Sequence, residues 1–101
     1  MLPTLDERLI DQIRLKNRQA LEHLYARYEN LLYRYALHLN NRPATSEAAL
    51  TDLFCRVWQQ RLKFEPHTET VRATLIRSLE HIIHQMNEET LASSTSKIPS
   101  A

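Results

Sequence analysis

Residues 18–39 read RQALEHLYARYENLLYRYALHL, and this stretch decides the fold. Leu21, Leu24, Tyr25, Tyr28, Leu31, Leu32, Tyr35 and Leu39 recur at i, i+3, i+4 and i+7, the spacing of a single helix face. At 100° per residue they fall within an arc of about 120°. His23, Arg27, Arg34 and His38 lie on the far side. The spacing therefore puts Tyr25, Tyr28 and Tyr35 in a packed core rather than on a platform for stacking bases. Tyr33 falls off the stripe as the exposed tyrosine. Arg27, Arg34 and Arg42 form a basic ridge that reads as a solvated face.

Outward from this helix the chain keeps the same period. Thr4 followed by Glu7 is a capping box, so a first helix starts near Thr4, carries Leu5, Leu9, Ile10 and Ile13 inward, and stops at Asn17, a residue that tolerates the left-handed conformation. The run Asn40-Asn41-Arg42-Pro43-Ala44 ends the second helix. Thr45 or Ser46 caps a third helix that reaches about Lys63, with Leu50, Leu53, Phe54, Val57, Trp58 and Leu62 inward. Phe64-Glu65-Pro66-His67 reads as a turn, because proline biases Glu65 away from helical geometry. Thr68 caps a fourth helix to about Glu89, with Val71, Leu75, Leu79, Ile82, Ile83 and Met86 inward. From Thr90 the chain is rich in serine and threonine and poor in apolar residues, the pattern of a disordered tail. The expected organisation is a compact all-α bundle of about four helices over residues 1–89, with a tail over 90–101.

Composition supports an all-α domain. The 101 residues contain no glycine and four prolines. Tight hairpins and phosphate-cradling loops draw on glycine for its free access to positive φ, so a β-rich fold, a P-loop and a dinucleotide fingerprint are excluded as readings. Thirteen basic and twelve acidic residues leave a net charge of +1, which excludes a nucleic-acid clamp acting through bulk charge but not a local basic patch. No apolar run is long enough for a membrane span, no secretory signal opens the chain, and the one cysteine, Cys55, permits no internal disulfide. These features fit a reducing cytoplasm.

No catalytic arrangement is legible. Cys55 sits mid-helix without a base to activate it and reads as a small packing residue at the flank of the core. His81 and His84 stand one turn apart on the polar side of the fourth helix. A metal site needs further ligands, and none is placed by sequence, so both read as solvated. His38 and His67 are weaker still. No cofactor or metal is expected, and the chain reads as a non-enzyme.

The order of the motifs adds more. Leu21-Glu22-His23-Leu24-Tyr25-Ala26-Arg27-Tyr28, followed by Leu31-Leu32-Tyr33-Arg34-Tyr35-Ala36, resembles the opening of region 2 in bacterial sigma factors of the extracytoplasmic-function type. Ser46-Glu47-Ala48-Ala49-Leu50-Thr51-Asp52-Leu53-Phe54-Cys55-Arg56-Val57-Trp58 is similar to the family's polymerase-binding helix. Phe64-Glu65-Pro66 and Val71-Arg72-Ala73-Thr74-Leu75-Ile76-Arg77 resemble the blocks that follow. The resemblance covers about residues 5 to 87, and its strength lies in order, spacing and shared helical phase.

The resemblance implies a transcription-initiation domain that docks on the clamp helices of the β′ subunit of core RNA polymerase and contacts the non-template strand of the promoter minus-ten element. Carried over position by position, it assigns polymerase docking to Glu47, Leu50, Thr51, Asp52, Leu53 and Arg56, and DNA contact to Arg72, Arg77 and His81. Phe54 and Trp58 belong to the hydrophobic core. The sequence also departs from the pattern. Ala48 stands for a usual Asp, Thr51 for a usual Gln and Asp52 for a usual Glu, which implies weakened docking. Glu80-His81 stands for a usual Arg-Asn pair, and Asn87-Glu88-Glu89 replaces a basic finish, where carboxylates repel phosphates. Thr74 stands for a bulky aromatic and is expected to leave a gap or groove. Nothing resembles the helix-turn-helix region that reads the minus-thirty-five element. The alternative is a protein-interaction or regulatory module on the same scaffold with promoter recognition lost: a competitor for polymerase, an anti-sigma partner, or a self-associating domain.

Overall fold

The computed structural model describes residues 4–65 and 69–97, of which residues 88–97 are described by backbone alone. Among them are four helices and no strand: α1 (Leu5–Arg14), α2 (Arg18–Asn40), α3 (Pro43–Trp58) and α4 (Val71–Lys97). This is the expected all-α bundle. Pro66, His67 and Thr68 of the expected turn and cap, and residues 98–101 of the expected tail, lie outside the described residues.

The capping box forms as read. The Thr4 hydroxyl accepts the Glu7 N–H at 3.2 Å, and the Glu7 carboxylate accepts the Thr4 N–H at 3.0 Å. The end of α1 differs from expectation. Lys16, not Asn17, takes the left-handed conformation (φ 64°). Asn17 is extended and begins α2, its carboxamide oxygen accepting the N–H groups of Gln19 at 3.0 Å and Ala20 at 3.4 Å. An asparagine with an acceptor oxygen serves a helix start at least as well as a helix end. The left-handed C-cap falls instead to Asn41 at the end of α2, φ 57°, its N–H bonded to Leu37 O at 2.7 Å.

α3 starts earlier and stops sooner than the sequence suggested. Pro43 occupies its first turn, where a missing N–H costs nothing. Ser46 is not a cap. It is fully buried, donates to Arg42 O at 2.9 Å and accepts from the Asn40 amide at 3.3 Å. The helix ends at Trp58 because Gln60 turns left-handed (φ 59°), so Lys63 lies beyond it. α4 is capped by Thr70, whose hydroxyl accepts the Ala73 N–H at 3.1 Å. Its backbone continues past Glu89 to Lys97, with no proline or glycine from Val71 to Lys97 to break it.

All four helices feed one core. The buried line of α2 is Ala20, Leu24, Tyr28, Leu32 and Ala36, narrower than the expected stripe. Leu31, Leu39 and Tyr25 are left partly in solvent, as is Leu5 of α1. Tyr35 is only half-buried, and Tyr33, expected outside, packs against the core edge. Asp6 ties α1 to α2, accepting from the Tyr28 hydroxyl and, at 2.7 Å, from Arg27 Nε. Arg27 stays exposed, as expected, and also forms an ion pair with Asp6.

The Tyr28 phenol is pushed above its ordinary value, first by burial and then by its bond to Asp6. A raised folded value means that its stabilisation is complete below about pH 10, the unfolded tyrosine value, and is lost as pH rises through the folded one. Tyr28→Phe should cost about 2 kcal/mol in urea unfolding at pH 7, the scale of a hydrogen bond to a charged acceptor. It should also flatten the alkaline limb of the stability profile. An alkaline limb identical to that of the parent chain would contradict the assignment.

Candidate interface on the α2–α3 groove and the α4 face

α2 and α3 run antiparallel after the short Asn41-Arg42 link, and their outer edges leave a groove. Two cavities lie along it and share Tyr25 and Thr51. The first, about 460 Å³, is lined by Tyr25, Glu29, Asn30, Tyr33, Glu47, Leu50 and Thr51. The second, about 570 Å³, runs past Leu21, Phe54, Cys55 and Trp58 to Arg18 and Gln59. At the waist the Tyr25 and Phe54 rings meet edge to face, 4.9 Å apart at 73°, a favoured aromatic geometry.

The six residues assigned to docking do not form one surface. Glu47 and Thr51 are exposed and line the groove, and Leu50 reaches it from a buried position. The Thr51 hydroxyl bonds back to Glu47 O at 3.1 Å. Asp52 and Arg56 sit further round α3, joined by two hydrogen bonds of 3.1 and 3.2 Å. Leu53 is wholly enclosed and serves the hydrophobic core alone. Cys55, expected at the core flank, is exposed on the groove wall. At eight residues past Glu47 it lies on the outward side of α3, about 80° round the axis.

The α4 residues are also divided. Arg77 and His81, one turn apart, share an exposed face. Arg72 is exposed but lies about 140° round the helix from Arg77. Arg77 is ion-paired to Glu69, and Glu69 also accepts from the Thr74 hydroxyl at 3.0 Å. Thr74 is buried and opens no gap; its hydroxyl also reaches Thr70 O at 3.2 Å. Lys63, Glu65, Glu69 and Arg77 line a separate cavity of about 350 Å³. Glu80 accepts from the Tyr35 hydroxyl across the α2–α4 contact, and this bond, ahead of burial, pushes the phenol upward. His81 and His84 are both exposed. Among the described residues no cluster of three or more His, Cys, Asp or Glu is placed to hold a metal ion.

Tyr25, Glu29 and Tyr33, with Arg18 and Asn30, are groove residues that the motif reading missed. Their signal was present: Tyr25, Glu29 and Tyr33 recur every four residues on a line beside the buried one.

The family model for Sigma-70 region 2 matches residues 24–86, and the chain belongs to that family. Its role is therefore sigma-factor-like, in transcription initiation. No curated protein matches the chain, and no solved structure does. No described helix is long and apolar enough to cross a membrane.

The separation of groove from core can be checked chemically. Cys55 should react fully with a maleimide in the folded chain. Leu53→Cys, in a Cys55→Ser background, should react only when unfolded. Equal labelling of the two under native conditions would show that the burial pattern of α3 is wrong.

Proposed function

We propose that the protein is a bacterial, cytoplasmic sigma-type domain of the extracytoplasmic-function class, docking on the β′ clamp helices of core RNA polymerase through the outer side of α3. The observation that carries this reading is the exposure of Glu47, Ala48 and Thr51, with the half-buried Asp52 beside them, inside the family match. Leu50, itself buried, lines the groove beneath them. The domain performs no catalysis. It supplies a helix-on-helix interface, and the polymerase does the chemistry. On the same reading Arg72, Arg77 and His81 meet the phosphates of the minus-ten non-template strand.

A second reading has a specific observation in its favour. Glu80 stands where the family pattern has an arginine and is held by Tyr35, while the Arg77 charge is met by Glu69. The α4 face thus offers phosphates little unspent positive charge. A domain with this face would occupy the clamp helices without capturing the strand, as a competitor or as the target of an anti-sigma protein.

Binding of the purified chain to core polymerase, followed by addition of a fluorescent minus-ten strand at two salt concentrations, separates the readings. Salt-sensitive capture marks the initiation domain; core binding without capture marks the competitor; absence of core binding removes both. Asp52→Arg should weaken core binding at least ~10-fold, as expected when a like charge replaces a complementary one, with unchanged helicity by circular dichroism. Where the strand is captured, Arg77→Glu should lower its affinity and reduce the salt dependence. An unaltered strand affinity in Arg77→Glu removes Arg77 from the DNA contact.

A further inference from the structure

Arg77 is held by a carboxylate that is itself held. Glu69 pairs with the Arg77 guanidinium, and the same carboxylate oxygen accepts from the Thr74 hydroxyl at 3.0 Å. The Arg77 side chain is 70% exposed and that of Glu69 21%. An exposed ion pair ordinarily contributes little, because two long side chains must be ordered to make it. Here one of the two is ordered already. Thr74 is buried, and its hydroxyl fixes the Glu69 carboxylate beside the first turns of α4. That hydroxyl is present because a threonine stands where the family pattern has a bulky aromatic.

The contact can open without leaving a buried group unpaired. A hydroxyl has one proton to donate, and that of Thr74 has two acceptors in reach: Glu69 Oε1 at 3.0 Å and Thr70 O at 3.2 Å. The second is the ordinary backward bond of a helical threonine. When Glu69 swings away, the proton turns to Thr70 O. The usual penalty for breaking a buried hydrogen bond, an orphaned donor, does not arise. The cavity of about 350 Å³ lined by Lys63, Glu65, Glu69 and Arg77 gives the released carboxylate room to move. Arg77 meanwhile keeps its place on the exposed face that it shares with His81.

We infer that Glu69 is an internal, displaceable substitute for a strand phosphate: it occupies Arg77 in the free domain, steadied by Thr74, and leaves when a phosphate of the single strand takes its place. The inference rests on the reading of Arg77 as a strand contact and adds its regulation. Glu69 and Thr74 are positioning residues that act through Arg77. Capture of the strand exchanges one anion for another on the same guanidinium, so the strand's apparent affinity falls with the fraction of domains in which Glu69 is closed. Salt weakens the internal pair as well as the phosphate contact. The two effects oppose each other, and the salt dependence of the parent chain is shallow.

Fluorescence anisotropy of a labelled minus-ten non-template strand, titrated with the purified chain from low to moderate salt, tests this on the parent, Glu69→Gln, Arg77→Gln and the double variant. Glutamine keeps an oxygen for the Thr74 hydroxyl and loses only the charge. Glu69→Gln should bind about 3- to 5-fold tighter, the scale of one exposed ion pair relieved. Its log–log salt slope should steepen by about 0.7, the value for one phosphate contact to a single strand. In the Arg77→Gln background the same change should give less than ~2-fold, which separates the latch from a general loss of negative charge. Thr74→Val, with helicity unchanged by circular dichroism, should shift affinity in the same direction as Glu69→Gln. If Glu69→Gln binds as the parent does, or if its gain survives in the Arg77→Gln background, the latch is overturned. Arg77 then stands as a strand contact where Arg77→Gln alone binds more weakly than the parent. If no chain binds the strand at the lowest salt, Glu69→Gln included, the strand reading falls and takes the latch with it.

Discussion

The structure depends on one line of five residues. Ala20, Leu24, Tyr28, Leu32 and Ala36 step along α2 every four residues and are all buried. Every helix touches the other three, and α2 does so most extensively, so the bundle is organised around it. The small residues at both ends of the line let neighbours approach closely, and the larger ones fill the middle. Every candidate surface then follows by exclusion. What α2 and α3 cannot bury becomes the groove, and what α4 cannot bury becomes the face that carries Arg77, Glu80 and His81.

Much of this was legible in the sequence. The helical period of residues 18–39, the capping box at Thr4 and Glu7, and the lack of glycine led to four helices, because each is a local rule that tertiary contacts then reinforce. The ends were less legible. Asn17 satisfies the rules for a helix stop and for a helix start, and only the competing left-handed Lys16 decides between them. Thr45 and Ser46 were reasonable caps on residue type alone, yet α3 starts at Pro43, and the Thr70 hydroxyl caps α4. Capping depends on where the chain reverses, and that is set by packing at a distance.

The candidate site was legible on one side only. Motif order pointed to α3 and gave Glu47, Thr51 and Asp52. It gave Leu53 a docking role although the helical period already turned that residue inward, and it could not show that Cys55 turns outward, since the width of a buried stripe depends on how many neighbours crowd the helix. Nor could it show α2 as a groove wall. Tyr25 looked like a core residue by spacing and is instead a rim residue. The acidic substitution at Glu80 was visible as a departure from the family pattern, but its bond to Tyr35 is a contact between helices 45 residues apart, beyond the reach of any local rule.

The chain reverses direction without glycine, and the way it does so bears on the groove. Lys16 and Gln60 both hold left-handed backbone, which is unfavourable for residues with a Cβ, and their side chains are engaged across the two loops. Lys16 donates to Trp58 O at 2.9 Å and stands 4.8 Å over the Trp58 ring, while Gln60 donates to Arg14 O at 3.3 Å. Trp58 is the largest side chain at the apolar end of the groove. It is therefore held by the α1–α2 turn before any partner arrives. The entropy of fixing that wall is lost during folding, so a partner laid in the groove would meet it preorganised. The first helix, which contributes nothing to the groove lining, thereby serves that wall as a brace.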